Sequence, residues 1–136
     1  MKNIILVVDD DSMVLFIHEM VIEESNLTAK TEYFLSAGDA LHRIAAESDS
    51  DACFLIFLDI NMPILNGWQM LERLSVHQKR EKIHVVMVSS SIDQVDVEMA
   101  DSNDMVLNYL SKPLKEEDLE RLKEDKLLAP FFTANT

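Results

Sequence analysis

Glycine is nearly missing from this chain: Gly38 and Gly67 are the two it has. A P-loop or a dinucleotide fingerprint needs several closely spaced glycines so that backbone N–H groups can approach phosphate oxygens, and both are excluded. Cysteine is scarcer still. Cys53 stands alone, which rules out a disulfide within the chain and a cysteine-rich zinc site and makes the cytoplasm the simplest address. Lying in the apolar run Cys53 to Leu58, its thiol is expected to be buried and inert. Positive charge is short as well: 12 Lys and Arg against 25 Asp and Glu give a formal net charge of -13. So acidic a chain repels nucleic acid and anionic membrane over a Debye length, about 8 Å, and neither is an expected partner. No apolar run approaches the ~20 residues of a membrane span. Ile4 to Val8 runs straight into Asp9-Asp10-Asp11, unlike an export signal.

What is present suits one domain over residues 1–136, since 136 residues at 48% hydrophobic composition fill a single core. Short apolar runs alternate with segments of helical period, the pattern of an α/β domain on a parallel sheet. Ile4 to Val8, Cys53 to Leu58 and Val85 to Val88 are continuous apolar runs, as central strands covered on both faces should be. Leu27 to Phe34 and Val106 to Leu110 are more mixed and read as the second and last strands, with a wetter edge or face. Between them, Val14, Ile17, Val21 and Ile22 recur at helical spacing, as do Ala40, Leu41 and Ile44, then Met70, Leu71 and Leu74. Ser36 with Asp39, and Ser90 with Asp93, have capping-box spacing at the starts of the second and fourth helices. The stretch Ile92 to Met105 is poor in apolar residues, so the fourth helix is expected to be short, mobile or partner-facing. A final helix follows Pro113, and the tail at about 127–136, with Pro130, Phe131 and Phe132, is expected to pack on its own domain.

Sites in open parallel sheets form beyond the carboxyl ends of the strands. Those ends carry Asp9, Asp10 and Asp11 on the first strand, Asp59 on the third, Ser89 on the fourth and Lys112 on the fifth. Strands about 4.8 Å apart bring Asp59 and the Asp9-Asp10 pair into one small volume. Carboxylates so crowded raise one another's pKa unless a hard divalent ion relieves them, and Mg²⁺ fits oxygen donors best, with Mn²⁺ able to replace it. Lys112 adds positive charge where a phosphate would bring negative charge.

The segments VVDDDS, FLDINMPILNG, VVMVSSS and NYLSKP, in that order and spacing, resemble the receiver domain of two-component response regulators over nearly the whole chain. The resemblance implies a doubly wound (βα)5 three-layer sandwich, flavodoxin-like, whose parallel sheet runs in the order 2-1-3-4-5. It implies Asp59 as phosphoacceptor, with Asp9, Asp10, Asp59 and the backbone carbonyl of Asn61 holding Mg²⁺ and Lys112 pairing with phosphoryl oxygens. Ser89 would hydrogen-bond the new phosphoryl group and Tyr109 would turn inward with it, while Asn61 and Ser91 would tune dephosphorylation. A cis bond before Pro113 is also implied. The expected donor is a sensor histidine kinase or a histidine phosphotransfer protein. Output would pass to a protein binding the face of the fourth helix, fifth strand and fifth helix, and a homodimer is left open. The chain is expected to be a stand-alone cytoplasmic receiver that promotes its own phosphorylation and dephosphorylation without being an enzyme on outside substrates.

Taken singly, these residues have plainer readings: Asp9-Asp10-Asp11 as a helix N-cap, Asp59 as a turn residue, Ser89 or Ser90 as a cap, Lys112 as a solvated lysine and Tyr109 as a strand aromatic. Their shared placement at strand ends is what favours a site. His18, His42, His77 and His84 show no ligand spacing and read as structural, and the eight methionines read as core filling. The alternative function is a Mg²⁺-dependent phosphatase of the haloacid-dehalogenase type, which also uses a strand-end aspartate. It needs a general acid two residues later, where this chain has Asn61.

Overall fold

The computed structural model describes residues 2–25, 29–90 and 93–132. Its elements alternate as β1 Asn3–Val8, α1 Ser12–Glu24, β2 Lys30–Phe34, α2 Ala37–Ala46, β3 Cys53–Leu58, α3 Gly67–Ser75, β4 Ile83–Ser89, α4 Gln94–Asp101, β5 Val106–Ser111, α5 Glu116–Leu122 and a short α6 Ala129–Phe132. The five strands form one parallel sheet in the order β2-β1-β3-β4-β5. This is the expected doubly wound arrangement, with the two mixed strands at the edges. The expected second strand began at Leu27, which lies outside the described residues.

Because side chains alternate across a strand, each central strand feeds two cores. Phe54, Ile56 and Leu58 of β3 pack with Ala40 and Ile44 of α2 and Met70, Leu71 and Leu74 of α3. Leu55 and Phe57 face Leu15 and Ile22 of α1, Leu119 and Leu122 of α5, and Phe131 and Phe132 of α6. The tail therefore closes the second core as expected, through α6. Phe131 is 1% exposed and meets His84 edge-on with ring centroids 6.5 Å apart.

Two helices differ from the sequence expectation. In α1 the buried residues are Leu15, His18 and Ile22, whereas Ile17 is exposed along with Met13, Phe16 and Met20. This helix is apolar nearly all round, so periodicity alone could not choose its inner face. For α4 the expected cap was Ser90, but the N-cap is Asp93, whose carboxylate accepts from Val95 N–H at 3.0 Å. A charged oxygen next to the helix is the stronger cap, and Ser90 lines the cavity at the strand ends instead. As expected, α4 is short, eight residues, and the Trp68 indole N–H of α3 donates to its Asp96 at 3.1 Å. Ser36 caps α2 by accepting from Asp39 N–H at 3.1 Å. Cys53 is half-buried at the mouth of β3, less enclosed than expected. No helix among the described residues is long and apolar enough to cross a membrane.

Candidate functional site

Three side chains meet because of how the strands end. Asp59 N–H donates to Val8 O at 3.0 Å, and Asp9 N–H donates to Phe34 O at 3.1 Å. Lys112 N–H likewise donates to Ser89 O at 3.0 Å. Each residue thus extends its strand's ladder by one step and then releases its side chain beyond the sheet. Asp9 also accepts from Asp11 N–H at 2.9 Å, and Asp11 caps α1 by accepting from Met13 N–H at 2.9 Å. The expected capping role of the acidic run therefore falls to Asp11 and leaves Asp9 and Asp10 to the site.

Lys112 Nζ lies 2.6 Å from Asp9 Oδ2 and 3.2 Å from Asp59 Oδ1. Asp9 and Asp59 are buried while Asp10 is exposed, and the three offer carboxylate oxygens all within 4.8 Å of one another. Burial first and the charge of Asp9 second push the Asp59 carboxyl up to about 6, against the pull of Lys112 and the Asn61 N–H. Burial works against the Lys112 charge, but the hydrogen bond to Asp9 and the charge of Asp59 outweigh it and raise its pKa. Lys112 is therefore a fixed cation held between two acids. The site opens as a cavity of about 490 Å³ lined by Asp10, Ser12, Asp59, Asn61, Ser90 and Lys112.

Gly67 sets the back wall. Its N–H donates to Ile60 O at 2.8 Å, and a Cβ there would stand 2.5 Å from the backbone oxygen of Asp59. The start of α3 can approach the peptide of Asp59 this closely only with glycine at this place. The bond between Lys112 and Pro113 is cis, as expected. Ser89 is fully buried at the end of β4, Tyr109 is half-buried on β5, and Ser91 lies outside the described residues. His18, read from the sequence as a structural histidine away from the site, is indeed buried but lies near it: its Nε2 accepts from Leu114 N–H at 3.1 Å, two residues past Lys112. The one signal for it was a lone ionisable residue at i+3 from Leu15 and i−4 from Ile22 in an apolar helix.

The donor set tests well for a metal. Three carboxylates converging from two strand ends are hard oxygen ligands for a small divalent cation, and no histidine or cysteine joins them among the described residues. Asp9, Asp10 and Asp59 would hold such an ion.

Residues 5–123 match the family model of the response regulator receiver domain. Among solved structures, a two-component response regulator from Cytophaga hutchinsonii is similar at 29% identity and a TM-score of 0.80, over 94% of this chain and 98% of that one. A response regulator receiver protein from Dyadobacter fermentans is 30% identical with a TM-score of 0.77, over 89% of this chain and 95% of that one. The probable methanogenesis regulatory protein FilR2 of Methanothrix harundinacea is 27% identical over 90% of this chain and 79% of its own length. The haloacid-dehalogenase alternative finds no support in these similarities.

Proposed function

This chain belongs to the response regulator receiver domain family, and on that premise we propose that Asp59 is its phosphoacceptor, in a domain spanning residues 1–136. Members of the family are phosphoacceptor regulators, not enzymes working on outside substrates. They hold Mg²⁺ in an acidic pocket and work with histidine kinases or phosphotransfer proteins. The observation that carries the residue assignment is the convergence of two buried carboxylates from the adjacent ends of β1 and β3 with the lysine that follows β5.

An oxygen of Asp59 attacks phosphorus in line, forming the acyl phosphate as the bond from phosphorus to the donor breaks. Lys112 exchanges its carboxylate partners for phosphoryl oxygens and offsets their charge. Asp9, Asp10, Asp59 and the Asn61 carbonyl would hold Mg²⁺, or Mn²⁺ in its place, and the ion would supply further positive charge to offset that of the phosphoryl oxygens. Asn61 stands exposed at the cavity mouth and governs access of hydrolytic water there, a role that the family resemblance gives to Ser91 as well. The Ser89 hydroxyl turns to donate to the phosphoryl group, and Tyr109 moves with it. Tyr109 also lines a cavity of about 410 Å³ between α4 and β5, with Val97, Ala100 and Ser111. That cavity supports the α4–β5–α5 face as the surface that output proteins read, with the whole system in the cytoplasm.

Incubation with acetyl phosphate and Mg²⁺, followed by mass spectrometry, is expected to place one phosphoryl group on Asp59 and none on a folded Asp59→Asn variant. Labelling of that variant at normal stoichiometry would put the acceptor elsewhere.

A further inference from the structure

Histidine is an expensive way to fill a helix face that otherwise buries leucine and isoleucine, unless its polar atoms have partners. His18 is 2% exposed, between Leu15 and Ile22 on the inner side of α1. Its Nε2 accepts the Leu114 N–H at 3.1 Å, a bond joining residues 96 apart in the chain. Since Nε2 is the acceptor, the ring is neutral with its proton on Nδ1. Burial foremost, assisted by the positive charge of Lys112 and opposed by Asp9, lowers the His18 pKa and keeps that form populated at neutral pH.

The other end of this bond explains its use. The loop from Lys112 to Lys115 carries the lysine of the site, and its backbone donors go to three different elements. Lys112 N–H reaches Ser89 O on β4 at 3.0 Å, Leu114 N–H reaches His18 on α1, and Lys115 N–H reaches Asp118 of α5 at 3.0 Å. Pro113 has no N–H to give, so Leu114 is the first residue after Lys112 that can tie the loop down. Tied to α1, the loop is referenced to the helix that follows Asp9 and Asp10, while Lys112 Nζ spans Asp9 and Asp59. We propose that His18 is a positioning residue, the acceptor that holds the Lys112 loop in register with the acids of the site. The proposal rests on Asp59 being the phosphoacceptor and goes beyond it by assigning a role to a side chain that does not touch the reacting atoms.

Two substitutions separate this role from packing. His18→Leu fills the space but offers no acceptor, whereas His18→Gln offers an amide oxygen at about the reach of Nε2. With acetyl phosphate and Mg²⁺, His18→Leu is expected to label Asp59 roughly tenfold more slowly than the unaltered chain, and His18→Gln to recover to within about threefold. A packing role reverses that order, because leucine is the better core residue. His18→Leu labelling at the unaltered rate, or His18→Gln labelling more slowly than His18→Leu, would overturn the proposal. If the unaltered chain takes no phosphoryl group, the assignment of Asp59 fails separately. A crystal structure of His18→Leu then decides the positioning role: Lys112 Nζ displaced from Asp9 and Asp59 upholds it, and the lysine unmoved refutes it.

Discussion

At the scale of single residues, the site is a place where the fold works against itself. Asp59 has an ordinary pKa of 3.8 and is pushed up to about 6 by burial and by Asp9. The folded chain therefore holds this proton more tightly than the unfolded one. The resulting stability is complete below pH 3.8 and is lost as pH rises through about 6. At neutral pH and low divalent ion, Asp59→Asn should thus stabilise the protein by about 1–3 kcal/mol, the pull of Lys112 being already contained in the net rise of the carboxyl. Urea unfolding at pH 7.5 and pH 4 checks it. The gain should nearly vanish at the lower pH, and an equal gain at both would mean that the ionised Asp59 carboxylate is not its source. Asp9 and Asp59 were legible in the sequence because each follows directly after an apolar strand run, so position alone told where the side chain would emerge, and Lys112 because it closes the more mixed run of the last strand. His18 was not legible in this sense: its partner is a backbone N–H 96 residues away, and backbone donors leave no mark in a string of side chains.

Among the secondary elements, legibility followed burial. Strands covered on both faces, β1, β3 and β4, announce themselves as unbroken apolar runs, and α3 buries the residues its periodicity selects, as α2 does for Ala40 and Ile44, with Leu41 only partly buried. In α1 the periodicity was degenerate, and α4 starts at Asp93 because capping chemistry outweighs a serine at the right spacing. The last helix matters more than its four residues suggest. Phe131 is 1% exposed and closes the core between β1, α1 and α5. Phe131→Ala should cost about 3–5 kcal/mol, read as a lowered urea midpoint. Because α6 does not reach the strand ends that form the site, the folded fraction should still take up phosphate on Asp59. A shift below about 1 kcal/mol would mean the tail is dispensable to the core.

For the molecule as a whole, a net charge of -13 and a cluster of acids at one end of the sheet make cations natural stabilisers. Mg²⁺ that binds the folded state alone should raise stability by about 2.7 kcal/mol at 100 times its dissociation constant. Sodium chloride at matched ionic strength acts only by screening and should give a smaller rise. Thermal melts of the unaltered chain and of Asp10→Asn test this, the variant losing the Mg²⁺-specific part; identical curves in the two salts would remove the metal from the account. The α/β class was readable from alternation, but strand order was not, since periodicity says nothing about which strands are neighbours; it came from the family resemblance. One link across the molecule carries a practical dividend. Trp68 is the single tryptophan, and its indole bridges α3 to Asp96 of α4. Any event that parts those helices alters the surroundings of the only strong fluorophore, so the native emission spectrum records rearrangement of α4 against α3 without a dye.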